Sequence, residues 1–380
     1  MTILFILRAL ANVAGTERVM SDKMNWLAER GYHVVLVTYE QGLHPISIVL
    51  HPKVELIDID VRFFKLSQLS FFQRLWKYRS LKILFKYRLQ LVINKFNPDV
   101  IVFTTYSIKL LSVITKVKTN ARMILESHTA YYSVGKEFDF RSNRILSMFG
   151  RIYDKFNYRN LKGLDSLIVL TEGDRNDWKL YVNEIKVIPN PLTFYPEKIP
   201  SKKNTRRILC VGRLNEQKGF DMLIEAFSKI SLKCPKWSVD IYGHGEDKKK
   251  LLDLIQYYGL EDRVKIHEPV FNIYEEYLES DFFVLSSRYE GFGLVLVEAM
   301  SCGLPCVSFN CKYGPNEIIT DGVDGLLANN GDVVDLSNKM LWMITHDKER
   351  LDMGMKARLS TNRYRKENIM VEWEKAYCFN

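Results

Sequence analysis

The chain has 380 residues and a formal net charge of +9, from 54 Lys+Arg against 45 Asp+Glu. At roughly 150 residues per domain, that length predicts two domains, each able to bury a core. A hydrophobic share of 47% and a charged share of 26% exclude extended disorder and a collagen-like repeat. The charge is uneven: residues 1–190 hold 28 basic and 17 acidic residues, whereas residues 191–380 hold 26 and 28. Residues 61–98 carry nine basic side chains (Arg62, Lys65, Arg74, Lys77, Arg79, Lys82, Lys86, Arg88, Lys95) and no acid. An anionic partner is therefore expected on the N-terminal half. The six cysteines all lie in the second half, at spacings that fit neither a disulfide framework nor a zinc site, and read as reduced thiols. Met1–Ala14 lacks a basic leader and contains Arg8, so Thr2–Leu7 is read as a buried first strand and not as a signal peptide. No run reaches the roughly 18 apolar residues of a membrane span. The expectation is a cytoplasmic protein, free or peripheral on the inner face of the membrane.

In chain order, short apolar runs predict strands at Ile3–Leu7, His33–Thr38, Val100–Phe103, Met123–Glu126, Ser166–Leu170 and Lys186–Ile188. A second series follows at Arg207–Val211, Ser238–Tyr242, Val264–His267, Phe282–Ser286, Pro305–Ser308 and Gly325–Ala328. Such runs, separated by helix-like stretches, indicate parallel sheets covered on both faces. The break is Pro189-Asn190-Pro191, then Pro196, Pro200 and the polar stretch Ser201–Arg206. The predicted organisation is an α/β chain of two Rossmann-like domains facing across a cleft. The first spans 1–190, a linker 191–205, the second domain 206–362, and a C-terminal helix at 363–380 can pack back on the first. Ligands of such sheets bind at the carboxyl ends of the strands, so the loops after strands should carry the chemistry.

Four loops stand out. Ala14-Gly15-Thr16-Glu17-Arg18 opens a helix after the first strand, where free backbone N–H groups suit an anion. Gly212-Arg213-Leu214-Asn215-Glu216-Gln217-Lys218 places two cations five residues apart, a fork and a point charge suited to a pyrophosphate. Gly243-His244-Gly245 is a tight turn too short for a dinucleotide fingerprint. Glu290-Gly291-Phe292-Gly293-Leu294 leads into a helix that carries Glu298 inside the apolar run Leu294–Met300. Carboxylates can accept vicinal sugar hydroxyls, and the exposed N–H groups of 291–294 again suit an anion. Read singly, each loop also fits a bland role, as solvated charge or plain turn.

Together, Arg213-x4-Lys218, Glu290-x7-Glu298 with EGFG between, Gly314-Pro315-Asn316-Glu317-Ile318-Ile319 and the Asp321-Gly322-Val323-Asp324-Gly325 turn resemble the retaining glycosyltransferases of family 4, which have the GT-B fold. The Gly15-Thr16-Glu17-Arg18 helix start, the Ile188-Pro189-Asn190-Pro191 linker and Glu126-Ser127-His128 fit as well. The resemblance implies a nucleotide-sugar donor on the second domain and an acceptor on the first. It places Arg213 and Lys218 on the pyrophosphate, Glu298 on the ribose, and Glu290 with Gly291, Phe292, Gly293 and Leu294 on the donor sugar. Gly15, Gly243 and Gly245 join the donor site, and His128 matches the family's histidine near the reacting sugar. The first loop has Ala14-Gly15 where the family has paired glycines.

The implied activity is retaining transfer of a hexose or N-acetylhexosamine, from a UDP-sugar before a GDP-sugar, to a saccharide or lipid-linked saccharide, as in bacterial surface-polysaccharide assembly. No metal and no separate cofactor are expected. Asp58-Ile59-Asp60 spells the metal site of another transferase fold, but its alternating surroundings at Val54–Val61 place both acids toward water. Two rivals remain: a sugar-nucleotide epimerase of the same fold, and a silent sugar-nucleotide-binding subunit. Aromatics interleave with the cations of 61–98, which suits an anionic membrane surface or a pair of helices with a solvated basic face. No nucleic-acid motif accompanies them.

Overall fold

The computed structural model describes residues 1–11, 15–131, 134, 159–198, 204–270 and 272–378. Ala14 and linker residues 199–203 lie outside them. The chain divides into two compact units, Met1–Pro189 with Met370–Asn380, and Asn190–Ile369.

The first unit is built on a seven-stranded sheet, order β3-β2-β1-β4-β5-β6-β7. Its strands are β1 (Thr2–Leu7), β2 (His33–Thr38), β3 (Glu55–Asp58), β4 (Val100–Thr104), β5 (Arg122–Ser127), β6 (Ser166–Val169) and β7 (Ile185–Val187). All pairings are parallel; β1 sits between β2 and β4, with Ile3 opposite both Val34 and Val100. Ile3, Leu4, Phe5 and Ile6 are fully buried, as a strand covered on both faces requires. The sequence-based reading missed β3, an edge strand whose residues are exposed or half-buried, so it shows no apolar run.

Helix α1 (Gly15–Glu29) follows β1 and buries Val19, Met20, Met24 and Leu27 on one face. The basic segment forms a short 3-10 turn, Phe63–Gln68, and then one 26-residue helix, α2 (Phe71–Phe96), ended by Asn97 in the left-handed conformation. The alternative of two helices with a solvated basic face is thus met by one long helix. Phe85, Leu89, Val92 and Ile93 anchor α2 to the sheet, while Phe72, Trp76, Ile83 and Tyr87 are exposed. No described helix is long and apolar enough to cross a membrane.

The second unit has a six-stranded sheet, order β10-β9-β8-β11-β12-β13, again all parallel. Its strands are β8 (Arg207–Val211), β9 (Ser238–Tyr242), β10 (Val264–His267), β11 (Phe282–Leu285), β12 (Cys306–Asn310) and β13 (Gly325–Asn329). Both units therefore have the α/β, Rossmann-like architecture read from the sequence. In each sheet the strand order reverses once, between β1 and β4 and between β8 and β11. Chain leaving two such neighbours diverges to opposite faces, which opens a crevice at their carboxyl ends. The six cysteines are free, and burial pushes the Cys311 thiol up to about 12.

Candidate active site

In the second unit, the loops leaving β8 and β11 interlock at the reversal point. Glu216–Lys218 form one 3-10 turn, whose backbone accepts from the next loop: the Ser286 hydroxyl donates to the Lys218 carbonyl at 2.9 Å. The Gln217 amide donates to the Tyr289 carbonyl at 3.1 Å, and the Arg288 N–H donates to the Gln217 carbonyl at 2.8 Å. The Arg288 guanidinium grips Asp221 in a two-pronged pair at 2.9 and 2.7 Å. A Cβ at Gly219 would lie 2.2 Å from the Ser286 carbonyl oxygen, so the two loops meet closely enough to demand glycine.

On this platform Lys218 Nζ lies 2.7 Å from Glu290 Oε1, which also accepts from the Ser287 hydroxyl at 2.6 Å. The Lys218 side chain is 16% exposed and that of Glu290 7%. Arg213, in the same loop, is exposed, and its guanidinium has no protein partner among the described residues. Residues 291–293 then lead into the helix Leu294–Ser301, with Gly293 as its cap at φ 97°. The positive end of that helix follows directly on Glu290. Glu298 is buried within the helix, where its carboxylate accepts from Thr193 at 2.8 Å and Tyr277 at 3.2 Å. Those two hydroxyls and that of Ser287 belong to the site's support and were not read from the sequence. Each is an ordinary polar residue until the fold brings it to a carboxylate.

The Gly243-His244-Gly245 turn is placed differently. A Cβ at Gly243 would sit 1.9 Å from the Gly212 carbonyl oxygen, and one at Gly245 2.3 Å from that of Leu214. These glycines are required where the turn after β9 packs against the Arg213 loop, and the Leu214 N–H donates to the His244 carbonyl at 2.9 Å. Their demonstrated role is to shape the loop that carries Arg213.

In the first unit, Gly15 is the exposed first residue of α1, and a Cβ there would meet nothing within 4 Å. Packing alone does not call for glycine at that point. His128 follows β5 and is buried; its Nε2 lies 2.8 Å from Glu126 Oε2, which also receives Lys23 Nζ at 2.7 Å. Burial pushes the His128 ring toward its neutral form, with Lys23 in the same direction and Glu126 opposing. Burial alone would raise Glu126, yet Lys23 and His128 hold its carboxyl at about 2. Lys23 was missed in the sequence, although it lies on the face of α1 defined by Val19, Met20, Met24 and Leu27. A lysine inside an apolar helical stripe is the signal that could have found it.

Asp58, the first acid of the Asp-x-Asp sequence, receives the Thr38 hydroxyl at 3.1 Å and the Gly42 N–H at 2.9 Å. Those bonds tie the end of β3 to the chain after β2. Among the described residues no three His, Cys, Asp or Glu side chains are grouped as metal ligands.

The family model for glycosyltransferase family 4 matches residues 13–193, and that for glycosyl transferases group 1 matches residues 193–360. The chain belongs to the family 4 glycosyltransferases. An uncharacterized glycosyltransferase of Haemophilus influenzae is 28% identical over 97% of this chain and 98% of its own. The amylovoran biosynthesis glycosyltransferase AmsD of Erwinia amylovora is 25% identical, covering 98% of each. The crystal structure of an S. aureus TarM mutant in complex with fondaparinux, alpha-GlcNAc-glycerol and UDP covers 99% of both chains at a TM-score of 0.75. At 17% identity, that likeness shows a shared fold, the GT-B architecture, and not a shared substrate. The family 4 glycosyltransferase thus holds Lys218 and Glu290 as a pair at the reversal point of its second sheet, with Arg213 on the same loop as Lys218 and Glu298 in the helix that follows Glu290.

Proposed function

We propose that this glycosyltransferase is a retaining, metal-independent enzyme that moves a hexose or N-acetylhexosamine from a nucleotide sugar to a saccharide or lipid-linked saccharide in surface-polysaccharide assembly. A UDP-sugar is the favoured donor and a GDP-sugar the second choice. The observation that carries the reading is the platform at the β8/β11 reversal. There the Lys218–Glu290 pair, exposed Arg213 and the start of the helix Leu294–Ser301 stand together. The name of AmsD and the UDP in the TarM complex support the substrate classes.

In this reading Arg213 and Lys218 bind the diphosphate, Glu298 the ribose hydroxyls, and Glu290 with the backbone of 291–294 the donor sugar. Gly15 lets the start of α1 approach the same ligand, and His128 bonds the transferred sugar. The bond from the anomeric carbon to the phosphate oxygen breaks, and the acceptor oxygen bonds that carbon on the same face. Negative charge growing on the diphosphate is met by two cations and a helix N-terminus, already in place and needing little reorganisation. The departing phosphate oxygen takes the acceptor's proton, so no strong protein base is needed.

A membrane-borne acceptor agrees with α2. Phe72, Trp76, Ile83 and Tyr87 recur at near-helical intervals along one exposed face, and exposed Arg79 and Lys86 flank them. Aromatic and aliphatic groups beside cations suit the interface of an anionic membrane.

The test is a donor panel of UDP-glucose, UDP-galactose, UDP-N-acetylglucosamine and GDP-mannose, read as nucleotide release with and without EDTA. The product's anomeric configuration is then read by NMR. Release of one nucleotide unaffected by EDTA, with retained configuration, is the expected result. An epimerised sugar without transfer, or an inverted product, would reject the reading.

A further inference from the structure

Behind His128 the first unit buries a polar network centred on Glu126. Glu126 is fully buried, and both of its oxygens are occupied. Oε2 receives the Lys23 ammonium at 2.7 Å and His128 Nε2 at 2.8 Å, while Oε1 receives the Tyr377 hydroxyl. Tyr377 lies in the C-terminal helix, Lys366–Cys378, and Trp373 lies four residues earlier, on the same face. The Lys23 ammonium sits 2.9 Å from the centre of the Trp373 ring, and the Trp373 indole N–H donates to the Pro189 carbonyl at 3.0 Å. Two residues of one helical turn therefore close the network that begins at His128.

An ionised carboxylate only accepts hydrogen bonds, so the proton between His128 and Glu126 belongs to Nε2. A second proton on Nδ1 would be a buried donor with no acceptor in a ring that already shares Glu126 with the Lys23 ammonium, and burial also favours the neutral ring, so Nδ1 is assigned no proton. That atom is buried and has no hydrogen-bond partner among the described residues. Buried polar atoms are rarely left so. As a source of stability alone, the arrangement is a poor choice, because apolar packing replaces a buried ion pair at little or no loss. As a device that fixes one ring in one tautomer, it is well formed.

We propose that Glu126, held by Lys23 and Tyr377, is a positioning residue that locks His128 as the Nε2–H tautomer and leaves its Nδ1 unprotonated. The C-terminal helix is then a working part of the active site. The role given to His128 rests on the transferase reading; the tautomer does not.

The experiment therefore has two arms. In the first, long-range nitrogen–proton NMR of the whole protein reads the His128 ring, identified by the signals lost in His128→Gln. The expected result is a protonated Nε2 and bare Nδ1 in the wild type, with a shift toward mixed tautomers in Glu126→Gln and Tyr377→Phe. In the second, kcat and donor KM are measured for Tyr377→Phe, which loses a single oxygen and is checked for folding by its melting curve. Its kcat should fall roughly tenfold, the order set by one lost hydrogen bond to a charged group, with donor KM nearly unchanged. A wild-type ring protonated on Nδ1 overturns the proposal, as do both variants with an unchanged tautomer and full kcat. Absence of transfer in every form would reject the transferase reading and leave the tautomer to be decided by NMR.

Discussion

Arg213→Ala and Lys218→Ala should separate binding chemistry from folding. Arg213 is exposed and its guanidinium has no protein partner among the described residues, so truncation should change stability by no more than ~0.5 kcal/mol. If the guanidinium meets the leaving diphosphate, turnover should nevertheless fall roughly 100–1000-fold, about 2.7–4 kcal/mol of transition-state stabilisation. Lys218 differs, because its loss leaves Glu290, among the described residues, with only the Ser287 hydroxyl as a side-chain donor. Breaking a fully buried pair costs about 3–5 kcal/mol. The 16% exposure of Lys218 admits water, and the remaining hydrogen bond lowers the cost to ~1–3 kcal/mol. That corresponds to a melting point roughly 2–10 °C lower. The assay pairs initial rates of UDP release with thermal melts, with and without UDP. Saturating UDP at about 100 times its Kd should stabilise the wild type by ~2.7 kcal/mol, and Arg213→Ala should lose most of that gain. Full turnover and an intact UDP shift in Arg213→Ala would refute the assignment of the diphosphate site.

Gly15→Ala meets no steric obstacle in the protein, so it should fold with unchanged or slightly higher stability. Its kcat/KM should still fall about 10–100-fold if α1 approaches the donor closely; normal kinetics would remove Gly15 from the site. Phe72→Ser/Trp76→Ser removes two exposed side chains, each worth about 1.5–3 kcal/mol when buried. Co-sedimentation with anionic vesicles should weaken at least roughly tenfold, whereas equal sedimentation of variant and wild type would favour a merely solvated α2. Glu126 has a folded pKa of about 2 against an ordinary 4.5, so its ionised form adds stability above pH 4.5 that is lost as pH falls toward 2. The stability gap between wild type and Glu126→Gln should narrow across that window. A gap independent of pH would mean the carboxylate is not held ionised by Lys23 and His128.

How far the fold and site could be read from sequence followed from physical type. Central parallel strands are buried on both faces, so β1, β2 and β8 appeared as apolar runs with near-correct ends. Edge strand β3 has no second covered face and left no such run. The helix α2 was obscured for the opposite reason: apolar residues lie on its buried and its exposed faces, which blurs the 3.6-residue period. Among the candidate site residues, Arg213, Lys218, Glu290 and Glu298 were visible because charges beside glycine turns and inside an apolar helix break the local pattern. Gly243 and Gly245 broke it too, yet what the structure places against them is the backbone of the Arg213 loop. A glycine marks close approach without saying what approaches.

The Glu126 network was the least legible part, because its members come from α1, β5 and a helix more than 240 residues downstream, at a Glu126–Tyr377 separation of 251. Glu126 and His128 were read as one short motif and Lys23 left an unread local trace, but nothing in the sequence joined them to Trp373 and Tyr377. This is also why its test is informative. A network assembled over that distance holds one tautomer only while every member stays in place. If removing the Tyr377 hydroxyl alters the His128 ring, the C-terminal helix belongs to the chemistry. If the ring is indifferent, the four side chains are a buried ion pair that merely tolerates its surroundings, and His128 acts without them.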